Sequence, residues 1–265
     1  MIRCLILICL LLGPVHATAG EDPIMRVELS GDAVVVGQPL TLKIEVLVPT
    51  WMPQPPDLPS FDIPDILVRR PKASGGPISE RISGETWSGV RRRYAFYPLR
   101  AGEFTLPANR LTVTVAQPGE PAPLTVDLII PAMTFRATIP QAARELDPLI
   151  IANDFQIADE IERPEDLTIG SAITRQLTAT IDGTSPLIIP TLVDKTEIEN
   201  VRAYPDDPRV EDIAKQEELA GTRMEQVTYL VTSSGSFTLP GIALKWYNLK
   251  TDTVEIANVP AQSFD

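Results

Sequence analysis

Apolar and polar positions alternate along much of this chain. Between Pro39 and Val48, the residues Leu40, Leu42, Ile44, Val46 and Val48 share one parity, and Thr41, Lys43 and Glu45 stand on the other. A period of two puts these sets on opposite faces of a strand, as a sheet with one buried side requires. Further strand-like runs are Met25–Ser30, Ile66–Arg70, Val90–Leu99, Phe104–Val115 and Leu124–Ile130, with Phe155–Ile161 opening the second half. Gly/Pro turns separate short strands, about seven in each half, and that spacing predicts sandwiches.

The pattern repeats at one offset, 133 residues, as from Leu40 to Ile173. Val36-Gly37 returns as Ile169-Gly170. The run Leu40, Leu42, Ile44, Val46, Val48 returns as Ile173, Arg175, Leu177, Ala179, Ile181. Pro53 maps to Pro186, Val68 to Val201 and Phe96 to Tyr229. Gly102-Glu103-Phe104-Thr105-Leu106-Pro107 returns as Gly235-Ser236-Phe237-Thr238-Leu239-Pro240. The period exceeds the roughly 20–50 residues of solenoid repeats and matches a domain length. The chain therefore reads as all-β, with two tandem immunoglobulin-like β-sandwich domains at 22–139 and 149–261 and a short linker at 140–148, in which Gln141–Leu146 is expected to form one helical turn. Gly102 and Gly235 are expected at the same corner with positive φ, and Phe104 and Phe237 in matching strands. Arg175 breaks its strand's rule by standing where Leu42 stands, on the inward face. A position near the sandwich edge, with its head paired to an acid, is expected.

The first nineteen residues read as a secretory signal. Arg3 precedes the apolar run Cys4–Leu12, Gly13-Pro14 breaks it, and Ala17-Thr18-Ala19 supplies a small-x-small cleavage site. The run is about half the ~20 residues of a spanning helix, and Gly20 stands where a lipoprotein would carry cysteine. Cleavage after Ala19 removes both cysteines (Cys4, Cys9) and the single histidine, His16. Disulfides, thiol nucleophiles, Cys/His zinc sites and histidine-based triads are thereby excluded from the exported chain.

Removing Arg3 as well leaves 22 basic residues against 35 acidic ones, a net charge of −13. Such a chain has no net positive field for nucleic acid or an anionic membrane surface. The basic runs Arg69-Arg70-Pro71-Lys72 and Arg91-Arg92-Arg93 are then expected to pair with the protein's own acids or with an acidic partner. The 26 prolines are about twice the usual 5% and disfavour long helices.

Three sharper readings are available. Asp206-Asp207 and Glu211-Asp212 are the densest candidates for a histidine-free carboxylate hydrolase, but their polar, proline-flanked setting reads as a solvated loop. Asn153, Asp154, Asp159, Glu160, Glu162, Glu165 and Asp166 crowd the interdomain region with oxygen donors suited to calcium. EF-hand spacing is absent, and alternation sends Asp159 and Glu160 to opposite faces. Trp51, Trp87 and Trp246 form the third: packing is the first reading for all of them, with Trp246 half-buried in a sheet, and Trp51 and Trp87 in loop-like stretches open to a partner. No catalytic, cofactor-binding or metal-ligating residue is assigned, and no cofactor is expected.

The order and spacing of several segments resemble the BatD family of bacterial aerotolerance, or oxygen-tolerance, proteins. In the second copy these are Ile169–Arg175, Pro190, Val201–Pro208, Gly221-Thr222-Arg223, Thr228-Tyr229, Gly235–Pro240 and Leu244–Tyr247. In the first they are Gly37, Pro55–Pro59 and Gly102–Pro107. The resemblance covers nearly all of the exported chain and implies a non-enzymatic periplasmic adaptor, encoded with von Willebrand A-type proteins and a MoxR-type ATPase and linked to oxygen or stress tolerance. Members usually continue into a membrane-spanning helix. This sequence shows none after its second module, so membrane association is expected to be indirect. The competing class is a carboxylate-dependent glycan hydrolase or glycan-binding module of the envelope.

Overall fold

The computed structural model describes residues 21–70, 75–193, 197–215 and 218–265. The predicted signal, together with Pro71 and Lys72 of the first basic run, lies outside the described residues. The chain is all-β, 58% strand and 3% helical. Its first half holds β1 (Ile24–Leu29), β2 (Ala33–Val35), β3 (Leu40–Val48), β4 (Ile66–Arg69), β5 (Gly75–Ile82), β6 (Glu85–Pro98), β7 (Gly102–Leu106), β8 (Asn109–Val115), β9 (Leu124–Ile130) and β10 (Met133–Thr138). A 3-10 turn at Gln141–Ala143 stands where the helical turn is predicted. The second half holds β11 (Ile151–Ala152), β12 (Asp154–Glu162), β13 (Ala172–Asp182), β14 (Val201–Pro205), β15 (Arg209–Lys215), β16 (Glu218–Val231), β17 (Phe237–Leu239), β18 (Ile242–Asn248), β19 (Thr253–Val259) and β20 (Gln262–Phe264), with a second 3-10 turn at Pro186–Ile188.

Strand pairing repeats between the halves. One five-stranded sheet runs β1-β3-β6-β4 with β5 also on β6; the other runs β12-β13-β16-β14 with β15 also on β16. The 133-residue offset carries β6 onto β16 and β8 onto β18 residue for residue. The hairpin loop that follows then shortens from 116–123 to 249–252, so the last strands match at an offset of 129. Phe104 lies opposite Phe135 between β7 and β10, and Phe237 opposite Phe264 between β17 and β20. The ring centroids in the two pairs are 5.4 and 5.3 Å apart. Gly102 (φ 145°) and Gly235 (φ 131°) both hold the positive-φ corner before those strands.

Two expectations need correction. The run Phe104–Val115 is two strands, β7 and β8, split at Pro107-Ala108, because proline supplies no N–H to a ladder. Trp87 is not in a loop: β6 begins at Glu85, five residues before the predicted start, and Trp87 is only 2% exposed.

The inward faces build the cores. In the first half Leu40, Leu42, Ile44, Val46 and Val48 join Tyr94, Phe96, Leu111, Val113 and Phe135 in one cluster. That cluster runs past the linker: Ala143, Ile151 and Tyr247 belong to it. The Tyr247 N–H donates to the Ile150 carbonyl (2.9 Å), and Gln38 Nε2 donates to the Gly183 carbonyl (3.0 Å). Gly37 (φ 80°) also has to be glycine for close approach, since a Cβ there would stand 2.8 Å from Thr184 Oγ1. In the second half the apolar core is divided in two, one cluster around Phe155, Leu177, Ala179, Ile181 and Trp246, the other around Ile173, Val227, Tyr229 and Phe237.

Candidate functional site

Buried charge is what divides the second core. Arg175 is 2% exposed, and its Nε and Nη2 donate to the two carboxylate oxygens of Asp159 at 3.0 and 2.8 Å. Its Nη1 donates to the Pro240 carbonyl at 2.7 Å. The expected acid partner is present, but Arg175 sits on inner strand β13, while the edge position belongs to Asp159 on β12. In the first repeat the same two places are apolar: Leu42 stands for Arg175, and Val27, opposite Ile44, stands for Asp159, opposite Leu177. One row away Glu225, also buried, accepts from Arg223 Nε (2.6 Å) and from the Leu192 and Val193 N–H groups (3.1 and 2.9 Å). A bidentate arginine–carboxylate pair with a backbone carbonyl on the third nitrogen is an arrangement in which charge is tolerated in a core. Sequence reasoning found Arg175 by its broken alternation and missed Glu225, which breaks parity in the same way on β16.

A groove of about 780 Å³ opens beside this second pair, lined by Val193, Glu197, Arg202, Asp206, Asp207 and Gln226 among others. It gathers one of the two predicted acid pairs. Asp206 and Asp207 are exposed, and Gln226 Nε2 donates to Asp206 at 3.0 Å. Glu211 and Asp212 lie instead on β15, where Asp212 pairs with Arg69 of the first repeat. The one buried carboxylate on the groove, Glu225, has both oxygens engaged. The geometry therefore offers solvated carboxylates and a fully used internal one.

The acids of 153–166 do not converge. Asp159 is committed to Arg175, the residues of β12 alternate between faces, and among the described residues no three acids form a group able to hold a metal. In each basic run an arginine meets an internal acid: Arg69 pairs with Asp212, and Arg91 Nε donates to Glu45 at 2.6 Å. Across the same outer face of the first sheet, Arg26 of β1 makes two hydrogen bonds to Glu80 of β5, at 2.6 and 2.9 Å. The Arg26 hydrogen bond holds the Glu80 carboxyl below its usual range, and Lys43 does the same for Glu28. Beneath lie Leu47 and Trp87, both buried; Gly89 leaves the room Leu47 occupies, since a Cβ there would stand 2.9 Å from Leu47 Cδ2.

Trp246 is buried against Phe155, at 6.2 Å between ring centroids. Trp51 alone among the tryptophans is open, 58% exposed. Its loop is tied down on both sides. The Ala116 N–H donates to the Trp51 carbonyl (3.0 Å), Thr50 Oγ1 donates to the Ala116 carbonyl (2.7 Å), and Asp57 bridges to Thr112. Farther along, the Tyr94 hydroxyl donates to the Pro59 carbonyl at 2.8 Å, and burial raises the pKa of that hydroxyl above the usual tyrosine value. The indole is thus held out to solvent on an anchored, proline-rich loop.

Among the described residues no helix is long and apolar enough to cross a membrane. No protein-family model matches the chain, and no curated protein matches it.

Proposed function

We propose that the protein is an exported, non-enzymatic adaptor of the bacterial envelope, built from two tandem immunoglobulin-like sandwiches and acting by positioning a membrane-embedded partner. The observation that carries this reading is the Trp51 loop, whose backbone is anchored at Ala116 while its indole and the neighbouring Pro53, Gln54 and Pro55 face solvent. The resemblance to the BatD family supplies the partner class, von Willebrand A-type membrane proteins alongside a MoxR-type ATPase, and the periplasm as the compartment. The glycan reading draws on the groove bearing Asp206 and Asp207. Against it stand the exposure of both carboxylates and the saturation of Glu225, because a general acid needs a desolvated, perturbed carboxyl.

Membrane fractionation tests the proposal. Expressed alone, the protein is expected in the periplasmic extract; with its genomic neighbours co-expressed, it is expected to follow the membrane. Trp51→Ala should reduce that recruitment while leaving the thermal transition in place. Trp87→Ala serves as the contrasting variant, losing stability by about 3–5 kcal/mol through a core cavity. Recruitment unchanged in Trp51→Ala, or turnover of an envelope glycan by the purified protein, overturns the reading.

A further inference from the structure

Tandem repetition lets each end of one copy be compared with the same end of the other. In the first repeat the end formed by Val36, Gly37 and Gln38 is covered by the second repeat: Val36 is 6% exposed, and Gln38 bonds to Gly183. The matching end of the second repeat has the same backbone, since the Gly37 N–H donates to the Pro98 carbonyl (2.8 Å) and the Gly170 N–H to the Val231 carbonyl (2.9 Å). Yet nothing covers it among the described residues. Ile169, the counterpart of Val36, is 65% exposed, and a Cβ on Gly170 would meet no atom within 4 Å. The opposite ends differ in the same way. Thr184, which seats on Gly37, is 1% exposed, whereas its counterpart Trp51 is the open indole.

One end of each kind is thus used inside the chain, and one of each is open among the described residues. We infer that the free ends are docking surfaces for each other: the Ile169–Gly170 end of one molecule seats on the Trp51 end of a second copy, in the same head-to-tail sense as the internal joint. The substitutions at these ends support the assignment. A surface meant only for solvent would exchange apolar for polar residues, but here valine becomes the larger isoleucine and threonine becomes tryptophan, both outside. The internal joint is head-to-tail, so its repetition is heterologous and stacks molecules in an open series rather than closing a symmetric pair. The acidic net charge, −12 over the full sequence, opposes stacking over a distance, so association strengthens as salt rises. The inference stands on the repeat itself, and an open series still leaves one Trp51 end uncovered at its terminus, the end available to an envelope partner.

Sedimentation velocity on the purified protein over a concentration series tests it, with Ile169→Glu, Trp51→Glu and their equimolar mixture. The unchanged protein is expected to pass beyond dimer as concentration rises, and each variant to remain monomeric. The mixture is expected to form a dimer and stop there, because each variant keeps the end that the other has lost. Both positions are exposed, and Ile169→Ser with Trp51→Ser repeats the test without introducing charge. A protein monomeric at every concentration, single variants that associate like the parent, or a mixture that stays monomeric would each overturn the inference.

Discussion

Arg175 shows how one residue can redirect a repeat. In the first copy Leu42 lets a single apolar cluster run the length of the sheet; in the second, Arg175 and Asp159 interrupt it and tie β12 and β13 to the Pro240 corner. Removing one partner leaves the other charge buried and unpaired, which costs about 3–5 kcal/mol, whereas replacing both by apolar residues is often neutral or stabilising. Arg175→Leu and Asp159→Val, the residues of the first repeat, should therefore each lower the urea midpoint strongly. The double variant should recover most of the loss. Additive losses in the double variant would show that the pair does not act as a unit. Arg175 was legible as an exception in the alternation. Its partner was not, because that choice depends on which β12 residue the register brings beside it.

At the scale of elements, the stacked pairs Phe104–Phe135 and Phe237–Phe264 close the two halves in the same way. Phe104→Ala and Phe237→Ala should each cost about 3–5 kcal/mol in denaturant unfolding. A large loss from one and none from the other would break the equivalence. On the outer face of the first sheet, β1 is fastened to β5 by Arg26–Glu80 and to β3 by Lys43–Glu28. Both carboxyls titrate below the ordinary glutamate value in the folded protein. Their stabilisation is therefore present above that value and lost as pH falls through the depressed folded one. Glu80→Gln should be slightly less stable than the parent at neutral pH and indistinguishable from it once the pH has fallen below the depressed folded value, with the difference shrinking in salt. A difference that persists in acid would assign the effect to packing.

Across the whole molecule, the linker region does more than connect. Ala143 and Ile151 are buried in the first core cluster, and Arg69 reaches Asp212 in the second repeat. The two repeats are accordingly expected to unfold in one calorimetric transition. Ile151→Ala should lower that transition by about 2–5 kcal/mol of stability and begin to separate it into two. Two resolved transitions in the unaltered protein would show that the joint is too weak to couple them.

Tandem repetition, the all-β class, the glycine corners and the helical turn after Pro140 follow from the sequence by itself, because period-two alternation and turn chemistry act over a few residues. The Trp51 loop was legible for the same reason, as a proline-rich stretch outside the alternation. Tertiary structure alone decided that Trp87 is buried beneath the outer face, that Glu225 caps the Leu192-Val193 backbone, that Asp159 serves Arg175, and that Val36 is covered while Ile169 is open. Each of these depends on strand register or on the docking of one repeat against the other. Such contacts join residues tens to more than a hundred positions apart in the chain, and no local pattern records them.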